Sequence, residues 1–260
     1  MEKPLIVGSI RQNDEQSAIN DIIKSEADGA KAFILHIQLL DEKYRNYDSF
    51  KRIKGASGCP IMAIYYRTQG GLDDDRRIEV MREALRAGFN SVDIPMYTYD
   101  DDPQNSLFSC GLPFASANPY EVSMDPGIIV KQKKLIQEYK EMGAEVLMSA
   151  HVGVELSCEQ AVSLGLEIQS RGADIVKIIT SCESKKQQLI ILNTNMELNK
   201  ILRVPYLYTC GGNKYSRFIR FNAPLFGSLL VFGHHEHDKL SNKEKPLLKD
   251  IAQYYYEGDK

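Results

Sequence analysis

The chain has no apolar run near the roughly 18 residues that a membrane-spanning helix requires, and it has no basic excess. Its 32 Lys and Arg residues stand against 35 Asp and Glu, a formal net charge of -3. Neither a membrane nor nucleic acid is therefore implied as a partner. The five cysteines, Cys59, Cys110, Cys158, Cys182 and Cys210, are scattered, odd in number and never spaced as CxxC. That pattern excludes a disulfide framework and a thiolate zinc site, so reduced thiols are expected. Cys182 and Cys210 follow expected strands and either border a pocket or serve as small apolar filler. There is no GxGxxG, Walker-type loop, GxSxG elbow or HExxH, so nucleotide cofactors, serine hydrolysis and zincin chemistry have no local motif, and no cofactor is implied. The amino terminus runs from Met1-Glu2-Lys3-Pro4 straight into Leu5-Ile6-Val7, without an h-region or cleavage site. It reads as a strand rather than a signal peptide, and the expected location is cytoplasmic.

What is present is a globular composition, 43% hydrophobic over 260 residues, ample for a sizeable core. Short runs rich in valine and isoleucine recur at 5–10, 32–39, 61–66, 91–94, 146–149, 175–180, 206–210 and 228–232, each reading as a strand. Helical periodicity separates them. Over 14–26, Ala18, Ile19, Ile22 and Ile23 share one face, and 73–87 opens on three aspartates suited to a helix amino terminus. Further helices are expected over 128–142, 159–171, 185–200 and 243–256, with weaker patterns after Leu40 and around Phe218. Gly29, Gly88, Gly143 and Gly172 fall just after helices, where a left-handed cap favours glycine. Eight strand-then-helix units of about 32 residues predict an α/β fold, a single (β/α)8 TIM barrel with 1–260 as one domain. A doubly wound open sheet is the rival. Residues 101–127 carry Pro103, Pro113, Pro119 and Pro126 and exceed an ordinary connection. After the fourth strand of a barrel they read as a lid or specificity loop, the alternative being a disordered excursion.

Lys177 is the residue most suggestive of chemistry. It sits in Ala173-Asp174-Ile175-Val176-Lys177-Ile178-Ile179-Thr180, an apolar β-branched run. An amine there loses hydration, which disfavours the ammonium and favours the neutral form that attacks a carbonyl. A snorkelling lysine at a strand end is the plainer alternative. In parallel strands, polar residues at the carboxyl ends converge on one mouth. These are Ser9, Arg11, His36, Gln38, Arg67, Asp93, His151, Lys177, Asn213, Arg220 and the cluster His234, His235 and His237. His151 ends the strand before that of Lys177, where an imidazole can shuttle protons for an imine, or else simply cap the strand. Arg67 and Arg220 can each hold a carboxylate through two parallel hydrogen bonds, although Arg217 and Arg220 also fit surface ion pairing on a helix. Adjacent histidines on a strand point to opposite faces and do not easily share an ion, so His234-His235-Glu236-His237 reads as a solvated loop and no metal is assigned.

Taken together, these segments resemble type I 3-dehydroquinate dehydratase, as a divergent member. The matching pieces are Glu26-Ala27-Asp28-Gly29, Tyr66-Arg67-Thr68 with Gly70-Gly71, Ser149-Ala150-His151, Gly172-Ala173-Asp174-Ile175-Val176-Lys177-Ile178, and Ile219-Arg220 with Phe226-Gly227-Ser228. The resemblance implies a (β/α)8 enzyme of the shikimate pathway, a homodimer acting on a small keto acid. Lys177 would form the imine and His151 move protons, while Arg67, Arg220, His36, Gln38 and Ser228 would line the substrate. Several positions depart from the family pattern. Its second strand reads Glu-x-Arg-x-Asp where this chain has Ile34, His36 and Gln38, and a Glu before the paired glycines is Gln69 here. Its fourth-strand Glu is Pro95, and its Ser-x-Pro-Gly-Gln is Lys239-Leu240-Ser241-Asn242-Lys243. The expectation is therefore a Schiff-base lyase that dehydrates 3-dehydroquinate or a related hydroxy-keto acid. The alternatives are a class I aldolase-type carbon-carbon lyase and a catalytically silent ligand-binding barrel.

Overall fold

The computed structural model describes residues 3–67, 73–100, 121–212 and 214–257. Cys110, Thr68, Gln69, Gly70, Gly71, Asn213 and most of the expected 101–127 loop lie outside the described residues. Eight strands appear in chain order: β1 (Leu5–Ile10), β2 (Ala32–His36), β3 (Ile61–Ile64), β4 (Ser91–Pro95), β5 (Glu145–His151), β6 (Ile175–Ser181), β7 (Tyr206–Gly211) and β8 (Leu230–Gly233). The helices between and after them are α1 (Glu15–Ala27), α2 (Tyr47–Lys54), α3 (Asp74–Arg86), α4 (Pro126–Glu141), α5 (Cys158–Ser170), α6 (Lys185–Ile201), α7 (Ser216–Asn222) and α8 (Leu248–Ala252). The strand order β7-β6-β5-β4-β3-β2-β1-β8 never reverses, and β8 pairs in parallel with β1. Such an order belongs to the (β/α)8 TIM barrel and not to the doubly wound rival, whose strand order turns back at a switch point.

The chain divides into two compact units. The first holds Met1–Asp93, Met142–Glu145 and Leu230–Lys260. In it β1 pairs with β2, β2 with β3 and β3 with β4, all in parallel. These strands are apolar almost throughout because both of their faces are covered. Helix α1 starts on Asp14, whose carboxylate accepts from the Ser17 amide, and buries Ala18 and Ile22. Gly8 lies opposite Phe33, and a Cβ there would meet the Phe33 ring at 2.9 Å, so only glycine lets β1 and β2 pair with that ring in place. Strand β2 ends earlier than its apolar run, which continues as a 3-10 turn over Ile37–Leu39. Uniform hydrophobicity hides such a change, since buried strand and buried helix share it. The last helix is also shorter than its periodicity, because Pro246 has no amide hydrogen to carry a helix started at 243; α8 begins at Leu248.

The second unit holds Ile94–Glu141 and Val146–Leu229. Strand β5 pairs with β6 and β6 with β7, both in parallel. Helix α5 opens with a full capping box, Ser157 and Gln160 each satisfying the other's backbone. Gly172, just beyond it, takes φ +97, and Gly29, Gly88 and Gly143 are likewise positive, as their positions predict. Arg171 at the end of α5 is the largest fully buried side chain among the described residues. Its guanidinium donates to Gln132 Oε1 at 2.5 Å and the Ser123 carbonyl at 2.6 Å, and pairs with Glu167 at 2.9 Å. Gln132 in turn donates to the Met96 and Thr98 carbonyls, both at 2.8 Å. Burial lowers the guanidinium's proton affinity, and the charge of Glu167 works against that shift.

Removing Arg171 strips donors from acceptors that water cannot reach. Arg171→Met is expected to lower the free energy of unfolding by about 2–4 kcal/mol in a urea titration. Lys200→Met, which breaks the exposed Lys200–Glu197 pair, should cost less than about 0.5 kcal/mol.

Candidate active site

Lys177 is the third residue of β6 and is 5% exposed. Its register partner on β5 is Ser149, and His151 pairs with Ile179 two residues further on. Partners in a parallel pair share a face, and so do residues i and i+2. Lys177, Ser149, Ile179 and His151 therefore lie on one face, with the Lys177 and His151 Cα atoms about 8 Å apart by strand spacing. A lysine side chain spans most of that distance. Thr209 on β7 pairs with Ile179 and joins the same face. Ser149 Oγ and Thr209 Oγ1 are buried and have no hydrogen-bond partner among the described residues. Orphaned hydroxyls beside a buried amine are unusual away from a binding site, where a ligand's oxygens supply the missing partners.

His151 is held by Glu121, a residue to which sequence reasoning assigned no part. The Glu121 carboxylate accepts the His151 amide at 3.2 Å and lies 4.0 Å from Nδ1. A carboxylate at that range orients the ring and stabilises it when it carries a proton. Glu121 is fixed through its neighbour Ser123. The Ser123 amide donates to Met96 at 3.3 Å, its carbonyl accepts from Arg171, and its hydroxyl bonds Asp100. Nothing in the local sequence marks Glu121, because it faces His151 across 30 residues and precedes the helix.

Arg220, on α7, is 8% exposed, while Arg217 on the same helix is exposed. Ser228 is buried, and its Oγ has no partner among the described residues. Cys210 pairs with Thr180 and so turns to the opposite face from Lys177. Burial pushes its thiol up to about 12 and also raises Cys182, which fits apolar filler rather than a pocket rim.

The remaining expected site residues belong to the first unit. Arg67 does bind a carboxylate through two hydrogen bonds, but the carboxylate is Asp74 of its own chain: Nε reaches Oδ1 at 3.1 Å, and Nη2 contacts Oδ2. Arg77 holds the same carboxylate and donates to the Tyr65 carbonyl at 2.9 Å. His36, 5% exposed, ends β2; Gln38 Nε2 and Arg11 Nη1 both lie 3.3 Å from its Nδ1. Asp93 accepts from the Tyr66 hydroxyl at 3.0 Å. The reading of 234–237 as a solvated loop is corrected by His234, which is 3% exposed with Nδ1 3.0 Å from the Ser9 carbonyl. The chain after β8 does not run into solvent, because His234 bridges to Leu247 and the chain folds back over it. His235 meets Asp28 at 2.6 Å on the other side.

Burial, followed by the charges of Lys245 and Arg11, lowers the His234 imidazole from its usual 6.5 to about 3. The folded state then refuses a proton that the unfolded chain accepts below pH 6.5. Stability contributed by this group is complete above pH 6.5 and is lost as pH falls toward 3. The urea midpoint should drop over that range, and the drop should be shallower in His234→Gln; parallel curves for the two proteins would refute the assignment.

A family model described as Type I 3-dehydroquinase matches residues 116–258. No curated protein sequence matches the chain. Among solved structures, 3-dehydroquinate dehydratase from Geobacillus kaustophilus is similar with TM-score 0.74 at 15% identity, covering 98% of this chain and 93% of that one. The type I enzyme from Clostridium difficile gives 0.74 at 16%, with 97% and 91% covered. That from Enterococcus faecalis gives 0.73 at 17%, with 99% and 95% covered. At these identities the likeness carries the fold.

Proposed function

The chain belongs to the type I 3-dehydroquinase family, and from that premise we propose that it is a lyase that dehydrates 3-dehydroquinate or a related hydroxy-keto acid through an imine on Lys177. The observation that supports this most is the parallel register of Ser149 with Lys177, which sets His151 on the face of the buried amine.

The chemistry proceeds in balanced steps. The Lys177 amine adds to the substrate ketone, and the carbinolamine loses water to give an iminium. The iminium draws electron density from the adjacent C–H, whose proton passes to His151 and leaves an enamine. The enamine expels the β-hydroxyl, which takes the proton back from His151 and departs as water. Hydrolysis of the conjugated imine then returns the amine and releases the enone. Glu121 steadies the imidazolium formed midway, and the unpartnered Ser149 and Thr209 hydroxyls supply hydrogen bonds to substrate oxygens on the same face. Arg220 and Ser228 contribute the carboxylate-binding part of the shell.

Borohydride added during turnover of 3-dehydroquinate should leave a reduced adduct whose mass maps to Lys177, and Lys177→Met should show neither adduct nor turnover. His151→Ala should lower kcat by about 10²–10⁴ while still allowing the adduct to be trapped. A wild-type protein that yields no adduct with 3-dehydroquinate or any other hydroxy-keto acid would sink the proposal.

A further inference from the structure

Glu121 lies in the irregular stretch that leads into α4, yet its carboxylate accepts the His151 amide at 3.2 Å and stands 4.0 Å from the ring's Nδ1. A side chain on irregular backbone holds a partner only if that backbone is itself fixed, because every torsion left free dilutes the contact. Ser123, fully buried two residues further on, is where the fixing occurs. Its amide donates to the Met96 carbonyl at 3.3 Å, and its carbonyl accepts from Arg171 Nη2 at 2.6 Å. Arg171 Nη1 donates to Gln132 Oε1 at 2.5 Å, and Gln132 Nε2 donates to the same Met96 carbonyl at 2.8 Å. The four residues close a circuit, from Arg171 to Gln132 to Met96 to Ser123 and back to Arg171.

The circuit is tied to the histidine's own strand. The Met96 amide donates at 2.9 Å to the carbonyl of Ser149, which precedes His151 by two residues on β5. Glu121 and His151 therefore hang from one frame, the first through Ser123 and the second through Ser149, and every member of it belongs to the second unit. Arg171 supplies what a single ammonium does not. Its planar fork reaches two acceptors at once, while Nε meets Glu167 at 3.0 Å and the charge is balanced there. Lysine would keep the charge and lose the fork.

We propose that Arg171 is a positioning residue for His151: by holding the Ser123 carbonyl it keeps Glu121 against the imidazole, and the protonated ring is stabilised only while that hold lasts. This role rests on the reading of His151 as the proton carrier, but the contact itself is measurable without substrate. Two effects of the guanidinium on the ring have opposite signs. A cation acting through space disfavours the imidazolium, so its removal would raise the ring's proton affinity; a cation acting through Glu121 favours it, so its removal would lower that affinity. Lys177, on the same face as His151, is common to every variant compared.

The test titrates the full chain labelled with ¹⁵N-histidine and follows the His151 ring, identified by its loss in His151→Gln. Glu121→Gln should lower the ring's proton affinity about three- to tenfold. Arg171→Lys, which keeps the charge, should lower it at least about twofold, and Arg171→Met, checked for folding by its melting curve, should act in the same direction. Neither change should lower it further in a Glu121→Gln background. Arg171→Lys carries the test if Arg171→Met does not fold. A ring unmoved by Glu121→Gln or by Arg171→Lys, an affinity that rises in Arg171→Met, or an equal fall with and without Glu121 would each overturn the positioning role. A chain that turns over no hydroxy-keto acid would end the imine chemistry and leave this titration result standing, so the two failures are distinguishable.

Discussion

The register between β5 and β6 is the constraint on which the proposed chemistry depends. Side chains alternate along each strand, so sliding one strand by a single residue would turn Lys177 and His151 to opposite faces. Both strands are buried on both faces: Val146, Leu147, Met148 and Ala150 on one, and Ile175, Val176 and Ile178 on the other, are all sealed from water. A slip would expose none of these to solvent, but it would leave an amine against the helices and an aliphatic side chain in the polar mouth. Packing and chemistry therefore select the same alignment.

A second layer of order works through the backbone. Arg171 sits at a helix end remote in sequence from His151, yet it grips the Ser123 carbonyl, two residues from the carboxylate that holds the histidine. Gln132 accepts from the same guanidinium and ties α4 to the carbonyls after β4. One buried cation thereby ties an irregular segment to two helices through several acceptors. A charge this deep would be costly if its partners were missing, so the fold and the cation require each other.

Much of this was legible beforehand. The eight strands, the helix starts on Asp14 and Asp73, the glycines after helices and the Lys177–His151 pairing follow from periodicity and local chemistry. What escaped were features that depend on long-range return of the chain. Periodicity places Lys245 in a helix that Pro246 disfavours, whereas it turns inward to Ser9, 236 residues away. The polar neighbours of His234 suggest a solvated loop, although the residue directly after a buried strand inherits that strand's burial. Glu121 carries no local mark, and the Arg67–Asp74 pair lies between residues that the pattern assigned to a loop and to a helix start. Composition identifies charged residues; only the folded chain shows which of them face one another.

The shared carboxylate of Asp74 has a consequence for anything that approaches Arg67. An incoming anion must compete with an internal rival already seated in the guanidinium fork. Because Arg77 grips that rival too, Asp74 can release one arginine without becoming an unpaired buried charge. Arg67 is in this sense a tethered hand that can be lent out, and the exchange swaps one ion pair for another instead of creating or destroying one.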